Sequence, residues 1–422
     1  MTTQTLYTMT TDLPVTTPRL DDGDVRVLLL ENIHPDGADF LRAQGYQVET
    51  RKGALGEDDL IEALAGVHVL GIRSGTNVTE RVLDHAPDLL TVGAFCIGTN
   101  QIDLKAAADR GVAVFNAPYS NTRSVVELAI GEIISLARRL NEKTNDMHAG
   151  VWNKSAQGSH EIRGRKLGIV GYGNIGSQLS VIAEALGMQV FYFDVADKLA
   201  LGNARRCATI DELLETVDVV TLHVDGRPGN AGLFGAEQFA RMKPRALFLN
   251  LSRGILVDTL ALRQHIESGH IAGAAVDVFP VEPKKQGDPF ESDLRGLPNV
   301  ILTPHVGGST MEAQQDIGRF VSGKLHSYLA EGSTDLSPNL PHLQLPSYHQ
   351  GHRLVHIHHN VPGVLSAINS VLGEHEVNIA GQTLGTRGEI GYVITDIDKE
   401  LAPQTLSALG NLPETVRLRQ LS

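Results

Sequence analysis

A chain of 422 residues, 42% hydrophobic and 20% charged, has ordinary globular composition and is long enough for about three domains of roughly 150 residues. Its 36 Lys and Arg against 49 Asp and Glu give a formal charge of −13 with no basic run, so the electrostatic footprint of a nucleic-acid or anionic-membrane binder is missing. No stretch approaches the ~20 apolar residues that span a bilayer, and Cys96 and Cys207, not in CxxC spacing, read as core thiols of a reducing cytoplasm.

The first 22 residues carry Thr and Asp but no basic segment followed by an apolar one, so a disordered polar tail is expected rather than a signal peptide. From Val25 short apolar runs alternate with helical patterns: VRVLLLEN, YQVETR, VHVLGIRS, LLTVGAFCIGTN and VAVFNAP as strands, PDGADFLRAQG and EDDLIEALAG as helices between them. This is the wiring of an α/β domain with a parallel sheet. Residues 124–150 read as one long amphipathic helix bridging to a second αβ block. After the Ser/Pro/His-rich stretch EGSTDLSPNLPHLQLPSYHQG, a linker by composition, the remaining residues read as βαββαβ, with Val364, Leu365, Ile368, Val371 and Leu372 on one apolar helix stripe.

The second block opens on KLGIVGYGNIG. A strand enters Gly171, a helix leaves Gly176, and Asp194 closes the next strand. In such a turn the first glycine permits the tight bend, Gly173 lets the backbone approach a pyrophosphate, and Gly176 allows close helix packing. The helix N-terminus supplies unpaired N–H groups for phosphate. An acid at Asp194 accepts hydrogen bonds from a ribose and repels a 2′-phosphate, which points to NAD rather than NADP.

Three further polar residues recur where strands of this block should end: Arg253 in NLSRGILVD, Glu282 in VDVFPVEP and His305 in LTPHVGGST. Each alone is most simply a surface or turn residue. Together, beside a dinucleotide turn, they supply what hydride transfer at a 2-hydroxy acid needs: a guanidinium fork for carboxylate and C2 oxygen, an imidazole base, and a carboxylate that orients it. HIHHN, residues 356–360, brings three histidines together, but no acid or cysteine completes a ligand set, so no metal is expected.

GYGNIGSQLS, LNLSRGILVD, AAVDVFPVEP and LTPHVGGST resemble the signatures of the D-isomer-specific 2-hydroxyacid dehydrogenases. By that resemblance Arg253, Glu282 and His305 are the catalytic residues, and Gly171, Gly173, Asn174, Ile175, Gly176, Asp194, His223, Leu251, Ser252, Asp277, Gly307 and Gly308 line the NAD site. Further stretches, among them GIRSGTNVT, FCIGTNQIDL and FNAPYSNTRSVVELAIGE, resemble the members acting on 3-phosphoglycerate, with Arg73, Ser74, Asn121 and Gln314 around the substrate.

The family's fold implies a discontinuous flavodoxin-like substrate domain (residues 23–119 and 308–335), a Rossmann NAD domain (120–307), a linker (336–351) and a ferredoxin-like βαββαβ domain (352–422). That last domain, in RLVHIHHNVPGVLSAINSVLGEHEVNIAGQ, resembles the amino-acid-sensing ACT modules. The resemblance implies L-serine as effector between paired ACT domains, at His358, Asn360 and Asn378, expected near one strand–helix junction, and a cytoplasmic homotetramer. The other readings are a different D-2-hydroxyacid dehydrogenase, a non-enzymatic NAD-dependent regulator, and an ACT unit that only dimerises.

Overall fold

The computed structural model describes residues 16–17, 22–283, 287–345 and 351–421. The chain folds as two compact units, one formed by residues 1–120 and 314–422, the other by residues 121–313.

The first unit holds two sheets. One is all parallel, in the order Gln47–Thr50, Arg26–Leu29, Val69–Ile72, Thr91–Ala94, Ala113–Asn116, which is the 2-1-3-4-5 order of flavodoxin-like folds. Its central strands are buried on both faces, and they are near-continuous apolar runs for that reason. Helix Met311–Glu331 lies against it, and Gly93 makes the fit possible, since a Cβ there would stand 2.8 Å from Val321 Cγ1.

The second sheet is antiparallel, in the order Thr415–Leu421, His352–His359, Ile390–Ile397, Ile379–Arg387, with helices Val364–Glu374 and Pro403–Gly410 completing βαββαβ. Within the expected N-terminal tail, Thr16–Thr17 adds a short parallel edge to strand Thr415–Leu421. Strand alternation divides the labour. Leu354 faces the helix stripe of Val364, Ile368 and Leu372, while Val355 and Ile357 join a core that contains Phe115, Tyr328 and Leu329.

Buried arginines finish this seam by donating to carbonyls at element ends. Arg417 donates to Leu89 O and Pro87 O, Arg419 to Leu329 O, and Arg353 to Glu331 O while also gripping Asp396 at 2.7 and 3.1 Å. Burial lowers Arg417 to about 10. Residues 336–345, read from composition as linker, are packed into the same seam. Asn339 bridges Val112 O and Val114 N at 2.9 Å each, and Arg387 donates to Ser337 O at 3.1 Å. Residues 346–350 of that stretch lie outside the described residues.

The second unit is one seven-stranded parallel sheet, in the order Val300–Leu302, Ile271–Val276, Ala246–Asn250, Val219–Leu222, Lys166–Val170, Gln189–Phe193, Arg205–Arg206. The strand order reverses between Lys166–Val170 and Val219–Leu222, the place where open α/β sheets bind ligands outside their carboxyl ends. The single helix expected over 124–150 is two, Thr122–Arg138 and Leu140–His148, because Arg139 takes a left-handed conformation at φ 54°. Its guanidinium then grips Glu142 one turn later, at 2.6 Å from Oε1. No glycine or proline announces the break.

Candidate active site

The glycine turn has the dimensions that a dinucleotide requires. Gly171 sits at φ 93°, and a Cβ there would be 2.5 Å from His223 O. At Gly176 a Cβ would be 2.2 Å from Gly171 O, so any side chain would push the helix off the turn. A Cβ on Gly173 would meet nothing within 4 Å, which leaves open space in front of the turn. Helix Asn174–Ala185 starts there with Gly173 as a cap that offers no side-chain bond, so its first N–H groups are available to an anion.

Asp194 follows strand Gln189–Phe193. Its Oδ2 accepts from Tyr172 N and its Oδ1 from Ala196 N, both at 2.8 Å. Each oxygen keeps a lone pair for a ribose hydroxyl, and the Tyr172 bond ties the acid to the glycine turn. These residues fit NAD.

Three adjacent strands carry the remaining groups. Strand Ala246–Asn250 leads into Ser252 and Arg253, strand Ile271–Val276 into Asp277 and Glu282, and strand Val300–Leu302 into His305. Asn250, wholly buried, orders the first exit by accepting from Ser252 N and Oγ and donating to Arg253 O. Leu251 is buried beside it.

Asp277, 1% exposed, orders the third exit. Its Oδ1 accepts from Val306 N at 2.8 Å and Thr303 Oγ1 at 2.6 Å, its Oδ2 from Gly307 N at 2.8 Å, and its carbonyl from His305 N at 2.8 Å. Under these four bonds His305 is held at φ 53°, a conformation that costs a non-glycine residue about 1–2 kcal/mol.

His305 Nδ1 and Glu282 Oε2 are 2.9 Å apart. Glu282 Oε1 accepts from Phe279 N at 3.0 Å, which fixes the carboxylate's angle. The bond to Glu282 raises the His305 pKa above the ordinary imidazole value; burial opposes this, and the charges of Glu282 and Asp277 add to it. Burial works against the Glu282 charge, but the His305 bond, the Phe279 N–H and the charges of His305 and Arg253 outweigh it and hold the carboxyl below its ordinary value. With Nδ1 donating to Glu282, the other ring nitrogen is left to act on a ligand.

His223 differs: burial pushes it down to about 4, so it is a neutral ring, with Nε2 3.0 Å from Thr221 Oγ1. Ile175 is half-buried in the first turn of the helix, and Gly308 packs against Asn121, whose Nδ2 would be 2.2 Å from a Cβ there.

Of the residues expected around the substrate, Asn121 belongs to this unit and Arg73, Ser74 and Gln314 to the other. The Arg73 loop is shaped by a residue that sequence reasoning passed over, Glu31, whose carboxylate accepts from the N–H groups of Arg73, Gly75 and Thr76 at 3.2, 2.8 and 2.9 Å. A lone acid after a strand gives no local sign of that task.

In the antiparallel domain His358 is buried, with Nδ1 2.8 Å from His359 O, and Asn360 donates to Gly388 O at 3.1 Å. Asn378 lies by Asp398, whose Oδ1 accepts its N–H at 3.1 Å. His359 pairs with Ile390 and Ile379 with Ile397, so Asn360 and Asn378 sit at opposite ends of strand Ile390–Ile397. That separation is roughly 25 Å at about 3.3 Å per residue. Within the chain, therefore, the three residues do not share one strand–helix junction. Among the described residues no group of three or more His, Cys, Asp and Glu could hold a metal ion, and no helix is long and apolar enough to cross a membrane.

Residues 130–307 match the family model of the D-isomer specific 2-hydroxyacid dehydrogenase NAD binding domain, and residues 354–417 match the AHAS small subunit-like ACT domain. The D-3-phosphoglycerate dehydrogenase of Escherichia coli is 49% identical over 405 residues, covering 95% of this chain and 98% of its own length. D-3-phosphoglycerate dehydrogenase 2 of Saccharomyces cerevisiae is 50% identical over 387 residues, 89% of this chain and 82% of its own. Among solved structures, the NAD-dependent formate dehydrogenase of Staphylococcus aureus in complex with NAD superposes with a TM-score of 0.61 at 25% identity, over 72% of this chain and 95% of that one. With an NAD-binding turn and an Arg, Glu and His at three adjacent strand ends, the chain belongs to the D-3-phosphoglycerate dehydrogenases, NAD-dependent members of the D-isomer specific 2-hydroxyacid dehydrogenase family.

Proposed function

We propose that this chain oxidises 3-phospho-D-glycerate to 3-phosphohydroxypyruvate, the entry step of serine synthesis. The observation that carries the reading is the His305–Glu282 pair, 2.9 Å apart, at the carboxyl end of the dinucleotide-binding sheet. The Arg253 fork holds the substrate carboxylate and draws density from the C2 oxygen. His305 takes the C2 hydroxyl proton on its free nitrogen as the C2–H bond breaks, and Glu282 stabilises the imidazolium that forms. Bound NAD supplies the hydride acceptor.

Arg73, Ser74, Asn121 and Gln314 serve the substrate, with Arg73 the cation for its phosphate. His358 and Asn360 of one chain and Asn378 of another take L-serine as a feedback effector. Trp152, 78% exposed beside exposed Val151 and Met147, fits a subunit interface, and the assembly is read as a cytoplasmic homotetramer.

A substrate panel with NAD tests the assignment: 3-phosphoglycerate should exceed D-glycerate, lactate and 2-hydroxyglutarate in kcat/KM, and equal efficiency on D-glycerate would overturn it. NAD should be strongly preferred to NADP, and Asp194→Ala should relax that preference.

A further inference from the structure

Helix Thr122–Arg138 turns one carboxyl group into the core. Glu132 is 4% exposed, and neither of its oxygens has a hydrogen-bond partner among the described residues. An ionised carboxylate in that setting costs several kcal/mol, so the group persists as the neutral acid. Burial pushes it up to about 8, with the charge of Asp277 as the second cause.

Its place in the helix gives this acid a neighbour with a task. Glu132 follows Leu128 by four residues and Val125 by seven, which sets all three on one helix face. Val125 Cγ2 and Leu128 Cδ2 stand 3.5 and 3.8 Å from the point where Gly307 would carry a Cβ, and Asp277 Oδ2 stands 3.0 Å from the same point. Glu132 therefore occupies the next turn of helix beneath the Asp277 clamp.

The strands packed against this helix, Ala246–Asn250, Ile271–Val276 and Val300–Leu302, contain no charged residue. Helix Asn174–Ala185 brings only Glu184, which is bonded to Asn203 N. Helix Leu140–His148 brings Glu142, held by Arg139, together with Lys143, Asp146 and His148. Of these groups and Asp277, Asp277 alone bears on the Glu132 charge.

We propose that Glu132 is a positioning residue for residues 303–308, a neutral acid packed beneath Asp277 whose ionisation in alkaline solution repels that clamp and loosens the turn carrying His305. The proposal rests on the reading of His305 and Gly307–Gly308 as parts of the reaction site. The proton leaves to solvent, and the charge left behind competes with Asp277 for the same buried region. Slackening of Val306 and Gly307 should weaken NAD binding before it slows chemistry.

The test is NAD binding to the intact protein by calorimetry from pH 7 to 9.5, with KM for NAD and kcat followed in parallel. Wild type should lose affinity about threefold or more across that range, with kcat moving less than KM. Glu132→Gln, which keeps the acid's shape without its ionisation, should flatten the affinity profile. The same ionisation appears in thermal unfolding. A carboxyl whose folded pKa exceeds its unfolded value contributes stability that is full below about 4.5 and lost as pH rises through about 8, so wild type should lose Tm relative to the glutamine variant over that window. Glu132→Met provides a second non-ionising side chain if the glutamine does not fold. Parallel profiles in wild type and variant would overturn the proposal. Both readouts survive even if His305 proves dispensable, which keeps the two readings separable.

Discussion

His305 and the pair His356–His358 are the same residue type in opposite settings. His305 stands half-exposed at a strand end with a carboxylate 2.9 Å from its ring, and its pKa rises. His356 is buried inside the antiparallel domain, its Nε2 2.8 Å from Thr415 Oγ1, and burial, with the nearby His358, takes it down to about 3. His358, buried against Gly391 with its ring 5.9 Å from that of His356, has an acceptor for Nδ1 but none for Nε2 among the described residues. The difference between the two settings is the neighbouring carboxylate and the access to solvent, not the residue type.

The comparison breaks most visibly at His305. His305→Asn should lower kcat by about 10²–10⁴-fold with substrate affinity largely kept, because the base is gone; His358→Asn should instead abolish the response to L-serine while leaving kcat in its absence within about twofold. Steady-state rates with and without serine decide both. Arg253→Lys should cost about 10–10²-fold in kcat/KM, the worth of a charge-assisted fork reduced to a point charge.

Glu282→Gln sharpens the contrast by giving His305 a neutral neighbour. In the oxidation direction the imidazole must be neutral, so the rate rises with pH through the His305 pKa. Removing the carboxylate should move that midpoint to lower pH and reduce the limiting rate by about tenfold, as a pH profile of kcat/KM will report. The smallest effect on rate is expected at His356. Its folded pKa lies below the unfolded 6.5, so the stability it contributes is present above 6.5 and lost as pH falls through about 3. His356→Gln should leave turnover intact and make unfolding less acid-sensitive, measured as Tm between pH 4 and 7.

The terminal domain does not lend itself to deletion. Cutting before Arg353 would uncover Tyr328, Leu329 and Leu340 and strip the carbonyls of Leu89 and Leu329 of their guanidinium partners. A truncated chain is expected to lose stability as well as any response to serine, so point variants are the informative route.

Local patterns carried much of this in the sequence. Gly171, Gly173, Gly176 and Asp194 are legible because strand, turn, helix and acid must follow at short spacing, and Arg253, Glu282 and His305 because each comes soon after an apolar strand. What was not legible depends on distant partners. The break at Arg139 has no glycine or proline; residues 336–345 look like a linker because their anchors, Val112, Val114 and Arg387, lie far off in sequence. The separation of Asn360 from Asn378 follows from antiparallel register, and Glu132 resembles any helical glutamate until its burial is seen.

The central claim, that His305 moves the substrate proton, is tested most directly by adding imidazole to His305→Ala and following NADH formation from 3-phosphoglycerate in a single turnover. The variant should be slowed by about 10²-fold or more, with a rate that climbs with the concentration of neutral imidazole. NADH formation at close to the wild-type rate in the absence of imidazole would contradict it.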